Sequence, residues 1–101
     1  MFRSAVRADA LWPGEMLGCV VAGKPVVLAN IDGTVVAFAD RCAHLGTPLS
    51  AGRLSNDRII CRAHHWEYDA RTGAGVNPKS AALQRFPVDV VNGFIRVDVG
   101  A

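Results

Sequence analysis

Three cysteines are too few to staple a chain of 101 residues. With two of them committed elsewhere the third has no partner, so no disulfide framework exists and a reducing cytoplasmic setting is expected. No apolar run approaches the ~20 residues that cross a bilayer. The opening stretch MFRSAVRADALW holds neither an apolar core nor a cleavage signal, so no leader or membrane anchor is expected. Charge of one sign is scarce as well: the formal net charge of +2 is too small to argue for nucleic acid. No segment of ten or more residues carries a helical period, and there is no repeat, low-complexity tract or linker. What remains is half hydrophobic and 20% charged, the balance of one folded domain over residues 1–101.

Short apolar runs separated by turn signals fill most of the chain. Residues 2–8 alternate loosely and read as a first strand. Trp12-Pro13-Gly14 is a turn, 16–22 a second strand, Gly23-Lys24-Pro25 another turn, and 26–31 a third strand. Asp32-Gly33 is a strong two-residue hairpin signal leading into 34–39. Further on, 58–61 and 66–70 read as short strands, Arg71-Thr72-Gly73 as a turn, and 74–80, with Gly75, Asn77 and Pro78, as a loop. Pro87 breaks 83–91 into an edge strand or two pieces. Asn92-Gly93 is a hairpin turn, and 94–99 sets Phe94, Arg96 and Asp98 against Ile95, Val97 and Val99. The pattern predicts an all-β chain, a small antiparallel sandwich or barrel.

The chemistry is concentrated between Cys42 and Tyr68: CAHLGTPLSAGRLSNDRIICRAHHWEY. Cys42-Ala-His44 and Cys61-Arg-Ala-His64 each offer one thiolate and one imidazole, with sixteen residues between His44 and Cys61. Two thiolates and two imidazoles suit a tetrahedral zinc site. They equally suit a [2Fe–2S] cluster with two Cys on one iron and two His on the other. Zinc fingers usually group Cys with Cys and His with His. Here each pair is mixed, so two loops could each give one ligand to each of two irons. Gly46 and Pro48 imply a fixed loop backbone after the first pair.

This stretch resembles the Rieske iron–sulfur signature: C-x-H, a gap, then C-x-x-H. The similarity runs from about Val6 to Val99. Outside the ligands its most telling part is TGAGVNPKSAALQRFPVDV, similar to ferredoxins of multicomponent aromatic and alkene monooxygenases with diiron hydroxylases, and close to those of ring-hydroxylating dioxygenases. The resemblance implies a Rieske fold with an inserted cluster-binding part at about 40–70 and a covering loop at about 74–80. It implies Cys42, His44, Cys61 and His64 as ligands of a [2Fe–2S] cluster. Quinol-oxidising relatives carry an extra disulfide-linked Cys in each loop, where this chain has Thr47 and Ala63. They also carry Gly-Ser after the second His, where it has His65 and Trp66. Without the Ser hydroxyl bonding a sulfide, the potential is expected near the lower end of the Rieske range, on the order of −150 mV. Tyr68 matches a tyrosine that bonds a ligand sulfur, and Pro78 matches a proline of the covering loop.

The resemblance implies a one-electron carrier, not an enzyme. It would pass electrons from an NADH-oxidising flavoprotein reductase to a terminal oxygenase, foremost a diiron hydroxylase of small hydrocarbons. The alternative is the ferredoxin of a Rieske-type aromatic-ring dioxygenase. A zinc-stapled binding module without redox role is the reading from another class. The chain is too short of acid–base groups to be the oxygenase itself. A monomer is expected, since transient docking needs an exposed tip. Arg41 and Arg62 beside the ligand cysteines, with Arg53 between the loops, would steer an acidic partner, against the plain alternative of scattered solvated charges. Trp66 would sit at the docking face or, more plainly, in the core. His65 reads as a surface residue near the docking edge and Cys19 as an inert core residue.

Overall fold

Four residue pairs bend this chain into hairpins. We describe it from a computed structural model covering residues 1–42, 46–63 and 65–100. Among the described residues the strands are β1 (Arg3–Arg7), β2 (Met16–Val21), β3 (Lys24–Ile31), β4 (Thr34–Ala39), β5 (Arg53–Ser55), β6 (Arg58–Ile60), β7 (Glu67–Asp69), β8 (Gly75–Asn77), β9 (Arg85–Phe86), β10 (Val88–Val91) and β11 (Phe94–Val97). Ala22-Gly23, Asp32-Gly33, Asn56-Asp57 and Asn92-Gly93 have positive φ at both positions. That geometry matches the twist of antiparallel strands, and the pairs join β2 to β3, β3 to β4, β5 to β6 and β10 to β11.

The strands form three antiparallel sheets, ordered β1-β11-β10, β2-β3-β4-β9 and β5-β6-β7-β8. Single 3-10 turns at Ala8–Ala10 and Leu49–Ala51 are the helical pieces among the described residues. No helix there is long and apolar enough to cross a membrane. The all-β, antiparallel expectation holds.

The middle sheet is covered on both faces, which explains the unbroken apolar run in β3. Val26 and Leu28 of β3, with Ala37 of β4, face a core completed by Phe86, Ile95 and Val97. Val27, Ala29 and Ile31, with Val36 and Phe38, face a second core that contains Leu49, Ile59, Tyr68, Cys42 and Cys61. Burial on both sides removes the alternation that a half-exposed strand would show. The buried polar side chain Asn30 pins this sheet. Its amide donates to the Leu11 carbonyl at 3.0 Å, and its oxygen accepts from Gly33 N at 2.8 Å.

Three details differ from the sequence reading. The turn expected over Gly23-Lys24-Pro25 occupies only Ala22-Gly23, and Lys24 and Pro25 open β3. Pro25 is tolerated because it lies where the ladder to β4 ends: its carbonyl accepts from Asp40 N at 3.1 Å, and no N–H is needed in return. Second, β5 occupies part of what reads as loop between the ligand pairs. Third, the loop expected over 74–80 contains β8, paired with β7 and flanked by a bridge between Ala74 and Ala82. Gly75 permits this. A Cβ there would press on the carbonyl oxygens of Pro78 and Ala81, and Gly75 N donates to Ala81 O at 2.9 Å. Pro87 divides 83–91 as expected, into β9 on the middle sheet and β10 on the first.

Candidate metal centre

The first cysteine leaves the end of β4 through Asp40 and Arg41. Cys42 is buried, and its backbone closes a small loop: Cys42 N donates to Thr47 O at 2.8 Å and Gly46 N to Cys42 O at 3.0 Å. Gly46 has φ +73, and the Arg41 guanidinium lies 3.2 Å from where a Cβ would stand. A carboxylate anchors the loop from behind. Asp40 accepts from Ser50 N at 2.8 Å and from the Ser50 hydroxyl at 2.5 Å. Gly18 on β2 makes room for this clamp, since its Cβ would stand 2.7 Å from Ser50 Oγ.

The second cysteine follows β6. Cys61 is fully buried, and its N–H donates to Trp66 O at 2.8 Å, closing residues 61–66 before β7 begins. His65 takes a left-handed backbone (φ +55) in this turn and is exposed. The preceding chain packs against this loop at Gly52, where a Cβ would collide with Ile60 O.

β7 joins the two loops. Tyr68 is fully buried, and its hydroxyl lies 3.4 Å from Cys42 Sγ. Burial pushes the Cys61 thiol up from its ordinary value; a hydrogen bond with Cys42 adds to this, and a backbone hydrogen bond from Ala63 opposes it. The fold thus brings the thiols of Cys42 and Cys61, nineteen positions apart in sequence, into hydrogen-bonding reach in a largely apolar core. Burial makes negative charge on such a pair costly. A bound cationic metal lets both become thiolates, so this donor pair fits the sulfur side of an iron–sulfur centre. With Cys42 a thiolate, only the Tyr68 hydroxyl can donate in that contact.

His44 and His64 lie outside the described residues. Trp66 is half-buried against the cysteine-containing core, as is Ala63, while Arg41, Arg53 and Arg62 are exposed. Pro78 is half-buried, and its carbonyl accepts from Ala81 N at 3.3 Å. Cys19 on β2 is half-buried against the other core, its thiol pushed up by burial and then by the charge of Asp40. The Asp40–Ser50–Gly18 clamp and the tight approach at Gly52 were not foreseen. An Asp two residues before Cys42 was the available signal, but its partner ten residues on has no fixed spacing to betray it.

The family model described as Rieske [2Fe-2S] domain matches residues 2–87. The chain is 36% identical over 90 residues to the ferredoxin component of the alkene monooxygenase system of Xanthobacter autotrophicus, covering 88% of this chain and 74% of that one. It is 33% identical over 90 residues to the ferredoxin component of biphenyl 2,3-dioxygenase of Rhodococcus jostii, covering 88% and 84%. A solved structure, a complex of reduced oxygenase and oxidized ferredoxin in carbazole 1,9a-dioxygenase, superposes with a TM-score of 0.85 at 27% identity, over 95% of this chain and 91% of the matched one.

Proposed function

We propose, on the premise that this chain belongs to the Rieske [2Fe–2S] domain family, that it carries single electrons from an NADH-oxidising flavoprotein reductase to a terminal oxygenase. It is an electron-transfer component of an oxygenase system and not itself the catalyst. The observation that carries the reading is the pair of buried cysteine thiols, Cys42 and Cys61, delivered by two separate loops, with the Tyr68 hydroxyl on the Cys42 sulfur.

The Rieske cluster supplies one reversible electron when bound. We assign Cys42 and Cys61 to one iron and His44 and His64 to the other. Among the described residues no group of three or more His, Cys, Asp or Glu comes together, so a four-ligand centre at this pair draws its remaining ligands from outside them. Tyr68 donates to the Cys42 sulfur and favours the more negative state. The reciprocal bonds of residues 42–47 and the Asp40–Ser50 clamp keep that sulfur in place as charge changes. Residues 40–70 form the cluster-binding part of a single domain, and the stretch 74–80, with β8 and then Pro78, covers it. Trp66 and His65 stand at the docking edge beside Arg41 and Arg62. The carrier acts as a monomer in the cytoplasm.

The 36% identity to the alkene monooxygenase ferredoxin favours a diiron hydroxylase of small hydrocarbons as acceptor. The biphenyl dioxygenase relative and the carbazole dioxygenase complex favour a Rieske oxygenase instead. Stopped-flow mixing of the reduced protein with each oxygenase of its source, following the visible bands, decides between them. Fast reoxidation by the diiron hydroxylase alone supports the first reading; by the Rieske oxygenase alone, the second. His64→Ala should abolish the visible absorbance and the low-average-g EPR signal. Unchanged spectra would sink the ligand assignment.

A further inference from the structure

A cavity of about 300 Å³ opens beside the second ligand loop, between β5 and the turn after β6. Arg53, Arg62 and His65 line it, and Cys61 lies at its wall. Among the described residues its charge is not cancelled from within the molecule. Arg7, Arg58, Arg71 and Arg96 each hold a carboxylate, whereas Arg53 and Arg62 hold none among the described residues. Nor is an acid free to turn toward them. Each of the nine Asp and Glu side chains already accepts a hydrogen bond or ion pair from a group outside the cavity.

Paired surface charges contribute little stability and largely cancel each other's field. Unpaired ones project it, and a concave, low-dielectric wall focuses it. The register places the pair: Arg53 lies opposite Ile60, and Arg62 follows two residues later. The contact of Gly52 with Ile60 O and with Arg62 N (3.2 Å from its absent Cβ) holds the two walls together. Two guanidinium forks around one opening match the planar, bidentate geometry of a carboxylate.

We propose that this cavity is a seat for a carboxylate side chain from the acidic docking face of an electron-transfer partner, gripped by Arg53 and Arg62. That the partner is a reductase or oxygenase rests on the carrier reading above; the seat itself does not.

The test uses iron-loaded protein and poly-L-glutamate as the probe, immobilised for surface plasmon resonance at low ionic strength. Arg53→Glu/Arg62→Glu is compared with Arg7→Glu/Arg85→Glu, which carries the same net charge with the reversals placed elsewhere. The expected result is about a tenfold loss of affinity in the first double variant, well beyond that of the second. Equal losses would mean that only net charge is read, and would overturn the seat, as would no loss in either. Visible spectrum and unfolding midpoint check that the variants are intact. Where the reversed double does not fold, Arg53→Gln/Arg62→Gln removes the charges without adding opposite ones. A parallel arm follows electron transfer from the wild type to each oxygenase. Failure there with glutamate binding intact rejects the carrier reading and leaves the seat standing.

Discussion

Single atoms separate the residues that tune this centre from those that merely surround it. Tyr68 is fully buried, and its hydroxyl lies 3.4 Å from Cys42 Sγ, where it donates once that sulfur is a thiolate. Tyr68→Phe keeps the ring and removes the donor. A hydrogen bond to a charged acceptor contributes about 1.5–3 kcal/mol. If about 1 kcal/mol of that differs between the oxidised and reduced states, the potential of the variant falls by about 40 mV. Protein-film voltammetry reads this directly, and an unchanged potential would remove Tyr68 from the list of tuning groups. Gly52 makes a different kind of demand. Its φ of −86 lies outside the left-handed region. The demand there is space, because a Cβ would run into the backbone carbonyl of Ile60. Gly52→Ala should cost about 1–3 kcal/mol, the usual range for overpacking, and should loosen the loop that carries Cys61. Urea unfolding gives the first number, and the rate of iron release to a chelator gives the second. Gly14, whose Cβ would meet nothing within 4 Å, isolates the other cause, since only its φ of +86 resists a side chain. Of these residues the sequence exposed Tyr68, through its place in the family pattern. It hid Gly52, because a steric requirement between segments leaves no local signature.

At the scale of elements, what could be read from sequence follows the turns. Asp32-Gly33 and Asn92-Gly93 announce their hairpins by composition alone. Ala22-Gly23 and Asn56-Asp57 adopt the same backbone without announcing it as clearly, which is why the boundary at Pro25 shifted and β5 went unseen. Strands of three residues, such as β5 and β8, are too short for any alternation to register. The first sheet carries its own electrostatic device. Arg96 of β11 donates to Asp89 of β10 at 2.9 and 2.6 Å and stacks 5.2 Å from the Phe2 ring. Hydrogen bonds from Arg96 hold the Asp89 carboxyl below its usual range. A depressed folded-state value contributes stability above the unfolded value of about 3.9. That contribution is lost as the pH falls through the folded value. Wild type should therefore melt slightly above Asp89→Asn near neutrality, and the gap should close below about pH 4. The pair is only half-buried, so the gap is small and shrinks in salt. A gap that stays constant from pH 6 down to acid would show that packing, not charge, joins these two strands.

For the molecule as a whole, the decisive feature is that one sheet serves two cores. Cys42, Cys61 and Tyr68 belong to the core between the β2-β3-β4-β9 sheet and the β5-β6-β7-β8 sheet. The opposite core, built on Val26, Leu28, Ala37, Ile95 and Val97, contains none of them. The first sheet and the middle sheet share that opposite core, and apart from the two-residue β9 their strands are the longer ones. The β5–β8 sheet consists of three-residue strands, and its burial is tied to the cysteine-bearing loops. Few residues per strand mean few ladder bonds, so this sheet has the least stability of its own. The metal adds binding free energy only to the state in which both loops are formed. Iron removal should then act unevenly. Amide hydrogen exchange in the apo-protein should quicken by at least about tenfold across β5, β6, β7 and β8, while β1, β10 and β11 keep most of their protection. Mass-spectrometric exchange on the loaded and iron-free forms resolves these segments. If protection fell equally in all three sheets, the two cores would be one cooperative unit, and the scaffold could not hold its shape without the centre it carries.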